Sequence, residues 1–410
     1  MLLNKSRAYE LMDRHGLDAL VAQVSINTYY LSDYWSSIHW PGFFDGAVFA
    51  VLPRREDAPA ALVIPSYEIR RLASEGGTWM PNVFSYSSPE EGATLDDDTP
   101  AGLDYEGWPL RPGVPLSARE QDWVAITKRL REQMSADAVW ALVRALRAAG
   151  LESARLGTDD ERIGSWLAAR GCKARCEYRR DVFNSIRLVK TPAEIELMRT
   201  AAQINERALL AGAAALRVGA EWGEIEDVFM RTLAERGGRG VYLLCGLGGL
   251  PAGKVRRDEP IMLDGLGRYR QYHADFGRCA VVGTPSAQHR ARHHALTRGW
   301  ERAHELLRPG TRMSELREQV IAAIRAAGFA EYRGAVVHNL GLEHTDDPKP
   351  VGAQPGEKPD QVLEPGMVVN VDMPYTEIGW GSVHIEDTVV ITAGGCDPLT
   401  SLDLAMRINA

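Results

Sequence analysis

The chain is short of the features that would tie it to a membrane, a nucleic acid or an oxidising compartment. Its five cysteines, Cys172, Cys176, Cys245, Cys279 and Cys396, are odd in number and scattered. They form no disulfide framework, and Cys172 and Cys176 lack the second pair a zinc site would need. Free, mostly structural thiols in a reducing cytoplasm are the expectation. No segment approaches the about 18 uninterrupted apolar residues of a membrane span. The opening stretch "MLLNKSRAYELMDRHGLDALVAQ" turns charged at once and lacks a secretory h-region. It reads as a helix ended near Gly16, then a strand. A basic excess is also missing. The net charge of −8 argues against a nucleic-acid partner. What remains is an ordinary globular composition, 45% hydrophobic and 25% charged over 410 residues. That length suggests two domains of about 150 residues or more.

Residues 1–165 mix strands and helices. "DGAVFAVLP" and "PAALVIPS" are short apolar strands around the polar turn "PRREDAP". Residues 88–118, rich in Pro, Gly and acid, read as a long irregular loop. Helices are expected near 120–134 and 136–149. "YRRDVFNSIRLVK" leads into a second part, 178–410. There "TPAE" (191–194) starts a helix: Thr191 is an N-cap, Pro192 suits the first helical position and Glu194 closes a capping box. "EIEDVFMRTLAERGG" (224–238) and "ELREQVIAAIRAAGF" (315–329) form a faint repeat. Each has a helix before it and strands after it, so the second part reads as two similar α+β halves meeting at one site. Generic amphipathic helices would also match this way.

"IMLDGLGRYRQYHADFGR" (261–278) is patterned as a hairpin yet carries Asp264 and Asp275. Asp is depleted in strands. A turn centred between Tyr269 and Arg270 puts the two carboxylates opposite each other, about 5 Å apart, where like charges repel. A turn centred at Gly267 leaves both facing water. Three further stretches belong with the hairpin. "VVHNLGLEH" carries His338 and His344. "MVVNVDMPY" sets Asp372 in an apolar run. "GSVHIEDTVVIT" places His384 and Glu386 on one strand face. Taken singly, each has a plain reading as a hydrogen-bonded polar residue. Together, Asp264, Asp275, His338, Asp372 and Glu386 bring four carboxylates and an imidazole from separate strands. Four buried carboxylates need cations to share a site. Oxygen ligands with one nitrogen suit divalent Mn, Fe, Co or Zn.

These residues resemble the pita-bread metallohydrolases: prolidase, aminopeptidase P, methionine aminopeptidase and creatinase. The shared pattern is Asp264 and Asp275 on paired strands, His338 with Gly341, Asp372 in a strand after an "EPG" turn, and a closing "IED" with Glu386. "RLVKTPAEIELMRTAA" resembles the junction helix of the creatinase and prolidase branch, and "NTYYLSDYW" (27–35) an element of its N-terminal domain. The resemblance implies an α+β chain, with a smaller creatinase-like α/β domain over 1–165 and a pita-bread catalytic domain over 178–410. It implies two divalent metal ions. Asp275 and Glu386 would bridge them, Asp264 would hold one, and His338 and Asp372 the other. It also implies catalytic roles for His344, His384 and Glu386, and a cytoplasmic homodimer, with manganese among the metals. The aromatic cluster Tyr29, Tyr30, Tyr34, Trp35, His39 and Trp40 would either enclose substrate or pack the first domain's core.

Three departures qualify the resemblance. The peptidases usually place a His upstream of the first Asp, and residues 241–255 contain none. Asp372 stands for a Glu, with a reach shorter by about 1.5 Å. His344 follows His338 one position sooner than usual, and His384 replaces an Arg, losing a permanent charge and gaining a titratable ring. The expected activity is metal-dependent cleavage of a C–N bond in a small molecule, by default an Xaa-Pro-type dipeptide. The alternatives are a non-peptide amide or amidine hydrolase, a lyase related to dimethylsulfoniopropionate lyase, and a non-catalytic binding scaffold.

Overall fold

The computed structural model describes residues 1–39, 46–75, 77–87, 109–246, 253–354 and 357–409. Trp40 and residues 88–108 of the acidic loop lie outside these. The chain divides into two units, Met1–Ile186 with Lys349–Ala353, and Arg187–Pro348 with Gln354–Ala410. No helix among the described residues is long and apolar enough to cross a membrane.

The first unit holds α1 (Lys5–His15), β1 (Ala19–Ala22), α2 (Ser25–Ser32), β2 (Phe49–Pro53), β3 (Ala61–Pro65), α3 (Ile69–Glu75), β4 (Asn82–Tyr86), α4 (Ala118–Glu132), α5 (Ala138–Ala148), β5 (Arg155–Thr158), α6 (Ile163–Ala169), β6 (Arg175–Tyr178) and α7 (Arg180–Arg187). Its sheet runs β4-β3-β2-β1-β5-β6. β2 and β3 are buried along their whole length, as their unbroken apolar runs require. Gly16 caps α1 in the left-handed conformation (φ 63°). Tyr29, Tyr30 and Tyr34 are buried, and the Tyr34 hydroxyl donates to Glu68 Oε2 at 2.6 Å. For these three residues the cluster is core.

The second unit repeats one arrangement twice. The first half is α8 (Pro192–Ala215), α9 (Trp222–Glu235), β7 (Arg239–Gly246), β8 (Ile261–Tyr269) and β9 (Tyr272–Val282). The second is α10 (Ala287–Leu306), α11 (Met313–Ala326), β10 (Val336–Asn339), β11 (Val368–Glu377) and β12 (Gly381–Ile391). β13 (Cys396–Pro398) pairs with β12, and β14 (Arg407–Asn409) with β9. The sheet order β10-β11-β12-β9-β8-β7 reads outward identically from its centre, each half adding its third, second and first strand. The two repeat segments are α9 and α11. The α8 cap forms as its sequence dictates, with Thr191 and Glu194 bonding each other's backbone N–H.

The helices cover one face of this sheet. Ile225, Phe229 and Leu233 of α9 pack with Leu263 and Phe276, and Leu316, Val320 and Ile324 of α11 with Val369, Val371 and Ile385. Gly265 lets α9 come close, since a Cβ there would press on the Phe229 ring. A strand glycine costs about 0.5–1 kcal/mol, less than the roughly 1.5–3 kcal/mol gained by burying a Phe. The opposite face carries the polar residues.

The hairpin register corrects both expectations for its turn. The turn residues are Arg270 and Gln271, both left-handed (φ 45° and 70°) as in a type I′ turn, and Tyr269 pairs with Tyr272. Asp264 therefore faces Gly277 and Asp275 faces Leu266. The carboxylates are diagonal neighbours on one face rather than directly opposed, and Asp275 is buried.

Candidate metal centre

Strand pairing sets the site out in rows across the sheet. One row runs Leu244, Asp264, Gly277, Glu386, Asp372, Val336 over β7, β8, β9, β12, β11 and β10. The next row on the same face holds Tyr242, Leu266, Asp275, Thr388, Asn370 and His338. His384 lies on the other side of the first row, opposite Pro374. Period-two alternation thus delivers every predicted ligand to one face. The row has a gap at Gly277, and the His384 ring fills it: a Cβ on Gly277 would overlap the imidazole.

The side chains close into two groups. Asp275, His338 and His344 form one, and Asp264, His384 and Glu386 the other, with the potential ligand atoms of each within 4.8 Å of one another. His344 Nε2 lies 2.7 Å from Asp275 Oδ2, and His338 Nε2 lies 3.9 Å from the same oxygen. His384 Nε2 lies 2.6 Å from Asp372 Oδ1 and 3.7 Å from Glu386 Oε2. Asp372 is thus within reach of the second group through His384.

The electrostatics are those of crowded anions. Burial, opposed by His384 and reinforced by Asp275 and Asp372, pushes Asp264 up to about 7. Burial and the carboxylates of Asp275, Asp264 and Asp372 push Glu386 well above the usual carboxylate range. The hydrogen bond to Asp275 raises His344 above its ordinary value, against burial. Burial pulls His384 down, but Asp372 and the other carboxylates more than offset it and leave its value raised. Among the described residues, Asp264 Oδ1, Asp275 Oδ1 and Glu386 Oε2 are buried without a hydrogen-bond donor. Buried acceptors are seldom left so. Oxygen and imidazole donors around orphaned carboxylate oxygens fit divalent cations.

A second layer fixes these groups. Asn205 of α8 donates to the carbonyls of Gly265 and Ala274. Thr388 donates to the Asp275 carbonyl and accepts from Asn370. Fully buried Arg278 bonds the Glu386 carbonyl and both Asp387 oxygens. After His338, Gly341 admits the Asp346 carboxylate, which Arg187 and Lys190 hold, while Arg187 also grips Glu343. These contacts position His344. His273 sits against the Gly341 carbonyl, and burial pushes it down to about 4.

Tyr242 escapes the sequence reading. A bulge between Gly240 and Tyr242 inserts Val241 as an extra residue. Gly240 can then face α9 while Tyr242 faces the site, its ring edge-on to His344 at 6.3 Å. Burial and the carboxylates of Asp275, Asp264, Glu386 and Asp372 raise its hydroxyl above the ordinary value.

This fold and site define a pita-bread protein with a carboxylate- and histidine-lined candidate metal centre. Residues 196–393, just under half of the chain, match Metallopeptidase family M24. The Xaa-Pro dipeptidase of Pyrococcus furiosus is 27% identical over 54% of this chain and 66% of its own length, just under two thirds. That of Lactobacillus helveticus is 25% identical over 70% of this chain and 77% of its own. The crystal structure of the prolidase from Pyrococcus horikoshii OT3 shares the fold with a TM-score of 0.68, at 19% identity, over 98% of this chain and 99% of that one.

Proposed function

We propose that this protein is a dinuclear metal-dependent hydrolase that cleaves a C–N bond in a small substrate, by default an Xaa-Pro-type dipeptide or peptide. One observation carries the reading: the donorless buried oxygens of Asp264, Asp275 and Glu386, gathered in two groups with His338, His344 and His384. The Xaa-Pro dipeptidases among the relatives support the substrate class. Asp264, Asp275, His338, Asp372 and Glu386 would hold the two ions, Mn, Fe, Co or Zn, with Asp275 and Glu386 shared between them. When bound, such ions supply a water nucleophile ionised near neutral pH and polarise a carbonyl. Glu386, whose carboxyl is raised in the metal-free protein, would give up its proton on holding the ions. His344, held by Asp275 at Nε2, passes one to the leaving nitrogen. Tyr242 beside it orients the substrate carbonyl.

The test loads the metal-free protein with each ion and assays dipeptides beside amide, amidine and sulfonium substrates. Metal-dependent turnover of Xaa-Pro dipeptides is expected. Turnover of only a non-peptide substrate would overturn the peptide assignment. Asp275→Ala and Glu386→Ala should each empty both ion positions by metal analysis, and loss of one ion alone would remove the bridging roles. Native mass on the same preparation tests the homodimer.

A further inference from the structure

We propose that His384 is itself a metal ligand, through Nε2, at the ion position it shares with Asp264 and Glu386. The inference rests on the dinuclear reading above and changes the make-up of its ligand set. The ring is fully buried on β12 and lies in the gap that Gly277 leaves in the sheet. The Nδ1 edge packs against Gly277, so the ring has no room to swing away, and Nε2 points to the carboxylates. Asp264 Oδ1 and Glu386 Oε2, the orphaned oxygens of that group, have no donor among the described residues. A cation there satisfies both at once, and the imidazole nitrogen lies within 4.8 Å of a ligand oxygen from each.

The chemistry of Asp372 points the same way. Its shorter side chain reaches about 1.5 Å less far than a Glu would, and Oδ1 stops at His384 Nε2. One nitrogen cannot donate a proton to Asp372 and bind a cation, so metal entry displaces that proton. The centre then carries an imidazole on each ion, from His338 and His384. A second nitrogen donor favours Zn, Co or Fe over Mn.

X-ray absorption of the Zn- or Co-loaded protein counts the imidazoles directly. Two across the pair of ions are expected for the parent protein, and one for His384→Gln. That variant should lose one ion per chain, with Zn affinity at the position falling by about 10³-fold or more, beyond the roughly 10–100-fold loss usual for an outer partner. Its Mn affinity should change less. Circular dichroism of the metal-free variant checks folding, and the parent count stands without any variant. A single imidazole in the parent, or an unchanged count and Zn affinity in His384→Gln, overturns the assignment. A parent protein that binds no divalent ion overturns the dinuclear reading with it. Bound ions and the expected imidazole counts without dipeptide turnover uphold the ligand and overturn only the substrate assignment.

Discussion

His344 is where residue type and placement meet most closely. It is partly exposed, its Nε2 is fixed on Asp275, and its segment is pinned by Arg187 and Lys190 through Asp346. His344→Ala should keep its metal content and lose about 10²-fold or more in kcat, as expected when a general acid is removed. A fully loaded variant that turns over like the parent would take His344 out of the mechanism. Alternation within a strand makes His384 and Glu386 legible as one face, and the motif spacing singles out Asp264, Asp275, His338 and Asp372; the strand pairing brings all six to the same face. Tyr242 was not readable, because its direction depends on a one-residue bulge that no residue type announces. Nor was the contact of His384 with Asp372, since cross-strand partners follow from register.

At the scale of elements, local signals served well. The capping box before α8 and the glycine after α1 form as the sequence implies. Neither turn centre that the sequence offers, between Tyr269 and Arg270 or at Gly267, is the one formed, because Arg270 and Gln271 adopt left-handed φ without the Asn-Gly signature of such turns; the first lies one residue away. That small shift converts a directly opposed pair of aspartates into a diagonal one and opens the place that Gly277 vacates. Gly277→Ala should therefore do more than tighten a strand. Its Cβ would overlap a fully buried imidazole, with an expected cost of about 1–3 kcal/mol from overpacking. Displaced His384 should also weaken metal binding. Thermal melting and metal analysis check both, and a variant with parental stability and metal content would contradict the packing argument.

For the molecule as a whole, the ionisable centre ties stability to pH. In the metal-free protein Asp264 sits at about 7, and Glu386, His344 and His384 are all raised. A carboxyl raised on folding binds more protons folded than unfolded, so stability falls as pH climbs from about 4 through its folded value. The raised imidazoles contribute fully below about 6.5 and lose that contribution as pH passes their folded values. All four groups act with the same sign. Ions bind the deprotonated groups and reverse the trend. The gap in melting temperature between loaded and metal-free protein should widen from about pH 5.5 to about pH 8. His39 and His273, pushed down to about 4 chiefly by burial, titrate in the opposite sense but in both forms. Calorimetry across that range checks the point, and a constant gap would contradict it. Every candidate ligand lies in the second unit, so a chain beginning near residue 178 should bind as many ions as the full chain. A folded fragment without ions would refute this.

The sheet is a palindrome written with unequal letters. Turning β9 onto β12 carries Gly277 to Glu386 and Asp275 to His384, and turning β8 onto β11 carries Asp264 to Asp372. Backbone symmetry supplies the frame and Asp264 and Asp372 keep the same letter, but at the midline the two spellings disagree: one half leaves a blank, and the other writes an imidazole across it. Neither half, doubled, would reproduce the centre. Two copies of the first would set glycine against glycine at the midline, and two of the second would set glutamate against glutamate. The divergence of the halves is therefore part of how the candidate metal centre is built.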